Sequence, residues 1–229
     1  ALVTGENGFV VALAGGTTVA AAALYLAHGF KSSTHIAFLS SIGSVLSIAL
    51  FAQIFFVLGN FSGFVSEEAS YLSVAGANVD LRGLLIAGVI LATLGALDDM
   101  TVTQVAAVSE MHNARPDYKF AQLWKSALRI GRDHVASTVN TLALAYVGTS
   151  LALMMIFVIS QQNLGWIANS EAVAVQIVGA LVGSIGLIIS VPLSTALAAY
   201  AVEHSGEHST KHHHHHDEDE KSDSQSKTE

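Results

Sequence analysis

The sequence predicts an all-α membrane protein: about five transmembrane helices, plus one amphipathic helix at the cytoplasmic interface. Three observations predict it. First, 52% of the 229 residues are hydrophobic and 12% are charged, with a mean hydropathy of +0.52; soluble domains average about 25% charged. Second, the charges are segregated. Residues 1–202 hold seven basic and ten acidic residues, and 203–229 hold three and eight, so the net −8 divides into −3 and −5. Third, five apolar stretches (8–28, 35–59, 82–110, 136–160 and 173–201) are each long enough to cross a hydrocarbon core of about 30 Å as a helix. Residues 1–202 therefore read as the transmembrane domain and 203–229 as a disordered, His-rich, acidic cytoplasmic tail.

The opening at Ala1 has no Met and no charged region before an apolar core, so it reads as a fragment or processed form and not as a signal peptide. In the first span Gly15, Gly16, Ala20 and Ala23 allow another helix to approach closely. A hinge follows at His28-Gly29-Phe30-Lys31, where His28 reads as an interfacial residue before it reads as a proton or metal site. The second span carries Ser40, Gly43, Ser44 and Ser47 at helical spacing, a small polar stripe suited to helix packing. Residues 60–81 hold Glu67, Glu68 and Asp80, and Arg or Lys nowhere; Phe61, Phe64 and Tyr71 suit an interfacial or re-entrant loop.

The third span contains two adjacent acids, Asp98 and Asp99. An aspartate at a helix centre costs about 2.5–3.5 kcal/mol, and large aliphatics such as Leu84, Ile86, Val89 and Leu97 return about 0.3–0.6 kcal/mol each. Two full charges would cancel most of that gain, so the pair must be neutralised, paired or wetted. Adjacent helix positions point about 100° apart, so the two acids need not share a partner. A helix over 82–110 would be about 43 Å long. The acids lie near mid-membrane if it is continuous and tilted, and at the cytoplasmic edge if the span stops near Met100. In the second case they read as solvated caps.

Residues 111–134 are the most basic part, with Arg115, Lys119, Lys125, Arg129 and Arg132. Pro116-Asp117 marks a turn and a helix start. Phe120, Leu123, Trp124, Ala127 and Leu128 then fall at i, i+3, i+4, i+7 and i+8, opposite a basic face. This predicts a helix lying on the membrane, with anionic lipid as the partner of residues 118–132, and a bend at Gly131. The fourth span offers Asn140, Thr141, Tyr146, Thr149 and Ser150 as hydrogen-bonding groups. Tyr146 to Ser150 reach the depth of Asp99 if the third helix is continuous; Asn140 and Arg132 do so if it stops early. The fifth span holds Gly179, Gly183 and Gly186, favouring a close crossing, and Pro192, which predicts a kink.

In the tail His204, His208 and His212 are spaced four apart, and a run continues through His213, His214, His215 and His216. Such tracts bind metals loosely, so the tail reads as a metal-buffering or solvating segment, with an affinity tag as the alternative. Lys and Arg prefer the cytoplasmic side. Lys31, the 115–132 cluster and the tail lysines share one side of a five-span alternation, and Arg82 falls on the other. Ala1 is then outside and the tail inside.

Three ordered stretches carry a family resemblance: GLLIAGVILATLGALDD, GRDHVASTVNTLALAYVGTSLAL and VGALVGSIGLIISVPLSTALAA. Together they cover about residues 80–200, and 5–60 fits the same pattern. The chain resembles the YibE/F family of bacterial membrane proteins. Members commonly carry further N-terminal spans and an extracytoplasmic segment, so the likeness implies a C-terminal portion, a bacterial cell membrane address and a multi-pass architecture, but no reaction. The family's acid corresponds to Asp99, and its GRD and NTL patterns to Gly131-Arg132-Asp133 and Asn140-Thr141-Leu142. Asp98 departs from members with an apolar residue there, so the resemblance ranks Asp99 above Asp98. The layout is also similar to proton-driven exporters of the SecD and resistance-nodulation type, an analogy of architecture alone.

The expected function is a transporter or transport-associated permease with a proton- or cation-binding aspartate. Asp99, Asp98, Asn140, Arg132, Asp133, Tyr146 and Thr149 are the candidate site residues. The alternative is a non-transporting scaffold or subunit that docks partner proteins, including further copies of itself. An aspartyl hydrolase needs facing carboxylates, which neighbours on one helix are not. The sequence has no phosphate-binding loop, no Ser-His-Asp set and no Cys, so no enzyme activity and no cofactor is expected. It has no basic stripe, so no nucleic acid is expected either.

Overall fold

A computed structural model describes the backbone of residues 8–65, 67–74 and 79–225, and the side chains of these except 67, 68, 73, 164 and 205–225. The described residues form helices and connecting loops, with no strand. The order is α1 (Gly8–His28), α2 (Ser32–Leu58), α3 (Glu67–Val74), α4 (Leu81–Ala114), α5 (Phe120–Thr149), α6 (Leu151–Ile159), α7 (Leu164–Ala168) and α8 (Glu171–Gln225). Helices α1, α2, α4 and the Glu171–His204 part of α8 are each long and apolar enough to cross a membrane; α5 and α6, bent by 48° at their junction, make a fifth crossing if taken as one span. The protein is a multi-pass membrane protein.

Small residues decide how these helices meet. On α1 the buried stripe is Gly8, Ala12, Gly16, Ala20 and Leu24, so Gly16 and Ala20 pack inward while Gly15 and Ala23 face out. A Cβ on Gly16 would come within 2.7 Å of Ile90. On α2, Ser40 and Ser44 are buried and donate to carbonyls one turn back, Ile36 at 2.8 Å and Ser40 at 2.9 Å. Their hydroxyls are thus satisfied inside the helix and the stripe serves packing. On α8, Gly179 lies against the Tyr146 ring, Gly183 against Thr93 and Leu142, and Gly186 against Ile48. That glycine face therefore receives α5, α4 and α2 together, and α8 packs on all three. Pro192 lies inside α8.

Register follows from these contacts. Gly8 lies against Gly83 at one end of α1, and Ala27 and His28 share a cavity wall with Val102 and Ala106 at the other. At 21 residues, α1 is about 31 Å long, the thickness of a hydrocarbon core. The apolar layer thus covers α4 from about Gly83 to Val102. Helix α4 runs on unbroken to Ala114, about 18 Å further. Its extension is packed and not frayed: Val105 and Val108 join Ala37, Leu123, Ala127, Ala198 and Ala199 in a second apolar cluster.

Several expectations need correction. The amphipathic stretch and the fourth span are one helix, α5, which continues through Gly131 without ending. Gly131 is buried because α5 presses it against Val191 of α8 and Gln104 of α4; the glycine serves close approach. Leu123 and Ala127 accordingly pack on protein. The interruption falls instead at Ser150, inside the expected 136–160 span. The 60–81 stretch contains α3, and Asp80 caps α4 by accepting the Gly83 N–H at 3.0 Å. The loop before α3 is tied down by Glu171, which accepts from Ser62 Oγ at 2.7 Å and from the Gly63 N–H at 2.8 Å. The backbone of α8 is helical through Gln225.

A Val at Gly131 should lower the unfolding free energy by about 1–3 kcal/mol through overpacking, read by denaturant titration in detergent. Gly88, which faces open space, should accept Val without a measurable change. Equal responses at the two positions would show that α5 does not approach α4 and α8 as closely as described.

Candidate functional site

The two acids of α4 part company. Asp98 turns into the α2–α4 interface, where Ser41 Oγ donates to its Oδ1 at 2.5 Å. Ser41 is fully buried. Thr101 Oγ1 donates to the Asp98 carbonyl at 3.0 Å, which anchors the same turn. Lys and Arg make no ion pair with Asp98 among the described residues. Asp99 points the other way; its side chain is 71% exposed and its nearest opposite-charge partner is His134 Nε2, 3.9 Å away. The resemblance ranks Asp99 first; the carboxyl that turns inward is that of Asp98.

Along α4, Asp98 stands about 6 Å before Val102, one helical turn. Just below Asp98 a cavity of about 430 Å³ opens between α1, α2 and α4, lined by His28, Lys31, Thr34, Ala37, Val102 and Glu110, among others. Val102 is one turn from Asp98, and Ala37 is one turn from Ser41. The cavity therefore ends one helical turn short of the half-buried Asp98 carboxyl, and its mouth carries both a cation and an anion. A polar cavity within a turn of a half-buried carboxyl is an arrangement suited to binding and releasing a proton or metal cation.

The other expected site residues are not gathered there. Continuity of α4 does not bring Tyr146–Ser150 to the level of Asp99, because α5 begins far below the apolar layer and meets Asp99 at His134. Arg132, Asp133 and Asn140 are exposed on α5. Tyr146 packs on Gly179 beside Thr93, its buried hydroxyl without a hydrogen bond among the described residues; Thr93 Oγ1 donates to Val89 O at 2.8 Å. Thr149 Oγ1 donates to Tyr146 O at 3.0 Å and serves the helix end. His204 Nδ1 lies 2.9 Å from Tyr200 O. The side chains of His208 and His212–His216 fall outside the described residues, and no group of three or more metal-binding side chains occurs among the described ones.

Two functional candidates escaped the sequence reading. Ser41 sits beside the recognised serine stripe, and its role depends on which way Asp98 turns. Gln104, 2% exposed, donates from Nε2 to Ala127 O at 2.9 Å and to Thr195 Oγ1 at 2.8 Å, clamping α4, α5 and α8 at the base of the apolar layer. Its signal was available: an amide at i+7 from Leu97 and i+4 from Met100 lies on the buried face.

No curated protein and no solved structure matches the chain. The model of YibE/F-like protein matches residues 1–204, so it covers α1 to α7, the Glu171–His204 part of α8 and both acids. The chain belongs to the YibE/F-like family.

Proposed function

We propose that this protein is a transporter or transport-associated permease in which Asp98 reversibly binds a proton or a cation. The observation that carries the reading is the Asp98–Ser41 contact, enclosed between α2 and α4 and one turn from a vestibule with a polar mouth. A carboxyl held in the apolar layer without a fixed cationic partner can change its occupancy, whereas a permanent ion pair cannot. Ser41 supplies a donor to the ionised form and can turn its lone pairs toward a bound cation. The two acids face different helices, so they form no hydrolytic dyad; this supports a role without enzymatic chemistry. The charge distribution supports a bacterial cell membrane setting with the vestibule and the tail on the cytoplasmic side. Anionic lipid is the proposed partner of the basic surface of α5, where Trp124, Lys125, Arg129 and Arg132 line one groove.

The second reading, a non-transporting scaffold, is favoured by one observation: Arg132, Asp133 and Asn140 are exposed on α5 and make no hydrogen bond or ion pair among the described residues. The two readings separate on Asp98. In a deletion strain grown across metals, pH values and toxic compounds, Asp98→Asn should insert at normal level yet fail to restore the wild-type phenotype, with Asp99→Asn less impaired. Full activity of Asp98→Asn together with a stoichiometric co-purifying protein would replace the transport reading with the scaffold.

Access gives an independent check, since the chain has no Cys of its own. Ala106→Cys and Ser109→Cys line the vestibule and should react with a membrane-impermeant maleimide added from the cytoplasmic side, whereas Ser44→Cys should not. Protection of all three would remove the aqueous route to Asp98. A reporter fused after Asn169 should behave as extracytoplasmic; cytoplasmic behaviour would invert the topology.

A further inference from the structure

We infer that the cleft between α5 and α8 seats one anionic phospholipid, its phosphate on Arg129 and Arg132 and one acyl chain between Val135 and Ile188. The inference rests on the proposed lipid contact of α5 and goes further: it assigns a single bound molecule, where that reading needs only attraction to a charged surface. Two cavities adjoin here. One, of about 240 Å³, lies between the helices and is walled by Leu128, Arg132 and Val135 of α5 and by Ile188, Val191 and Pro192 of α8. The other, of about 500 Å³, follows α5 past Trp124, Lys125 and Arg129. Leu128 and Arg132 belong to both walls, so the two form one groove with Arg132 at the join.

The groove crosses the edge of the apolar layer. Gly131 is pressed against Val191 and Gln104, and Gln104 stands about 3 Å along α4 beyond Val102, where the layer ends. Arg132 is therefore at that edge. Val135 is about 4.5 Å further in along α5, and Ile188 is about 4.5 Å further in than Val191 along α8. Arg129 and Lys125 are about 4.5 and 10.5 Å further out. Cations stand outside the boundary and apolar walls inside it. A phospholipid has the same layout, with its phosphate just outside its hydrocarbon.

Charge complementarity selects the sign of the lipid. Lys125, Arg129 and Arg132 follow one another at steps of four and three residues, so they share one side of α5. All three are exposed and make no hydrogen bond or ion pair among the described residues. Among those residues no acid lines either cavity, and Asp133 is turned about 100° from Arg132 around the helix. A guanidinium meets a phosphate through two parallel N–H donors, and basic pockets between membrane helices hold phospholipid headgroups. The apolar cleft separates a lipid from a free phosphate, which would use the cations and leave the walls at Val135 and Ile188 uncovered.

Native mass spectrometry of the full chain in mild detergent, with phosphatidylglycerol as the probe, tests this. The wild-type protein should retain one phosphatidylglycerol per chain, and excess inorganic phosphate should not displace it. Arg129→Gln combined with Arg132→Gln should lose the adduct. Ile188→Trp should lose it too: it fills the cleft from a position 55% exposed and leaves every cation in place. Val135→Trp repeats that test from the opposite wall. Leu50→Trp, on the exposed side of α2, should keep the adduct. The inference is overturned if both cleft variants retain the lipid as the wild type does. Loss in the double Arg variant would then leave the surface attraction standing without a seat, and retention there would remove both. It is also overturned if inorganic phosphate displaces the lipid, or if phosphatidylcholine is retained as firmly as phosphatidylglycerol.

Discussion

Lipid tails are as apolar as leucine, so helices in a membrane gain nothing from hydrophobic burial against one another. What holds this bundle is close backbone approach at small residues, and α8 provides most of it. Its Gly179, Gly183 and Gly186 admit Tyr146, Thr93 with Leu142, and Ile48 from three different helices. Gly131 of α5 then closes against Val191, with the Gln104 clamp beneath it. Once these contacts are made, the rotation of α4 about its own axis is fixed. That rotation decides which acid goes inward.

The inward acid is enclosed by consequence and not by local preference. Gly16 against Ile90 and Gly183 against Thr93 turn one face of α4 toward α1 and α8. Asp98 is left facing α2, where Ser41 meets it. The same rotation turns Asp99 outward toward His134. Two neighbouring carboxyls of identical chemistry therefore enter different surroundings: one beside a vestibule within the chain, the other on the outer surface at the edge of the apolar layer.

The packed extension below the apolar layer links the two. Helices α4, α5 and α8 stay together past the level of Val102, held by Val105, Val108, Leu123 and Ala198. Arg129, Arg132, His134 and Asn140 are carried on one continuous helix, α5. The bend at Ser150 marks where this rigid unit ends and the short α6–α7 segment begins.

The sequence by itself determined the membrane address, the all-α class, the family resemblance and the approximate limits of the crossing helices. Those properties follow from composition and from hydrophobic runs, which are local. It also determined that Asp98 and Asp99 stand in an apolar run and that the second and fifth spans present small packing faces. Tertiary structure alone decided which acid faces inward, because the two differ only by about 100° of rotation about one axis. It decided as well that Gly131 is a contact and not a hinge, since a glycine in a helix reads the same in sequence whether it bends or is pressed flat. The register of α5 against α4, with His134 and not Tyr146 at the height of Asp99, was likewise invisible. Counting from a supposed membrane edge assumes that helices begin there, and α5 begins well beyond it because its lower half has protein to pack against.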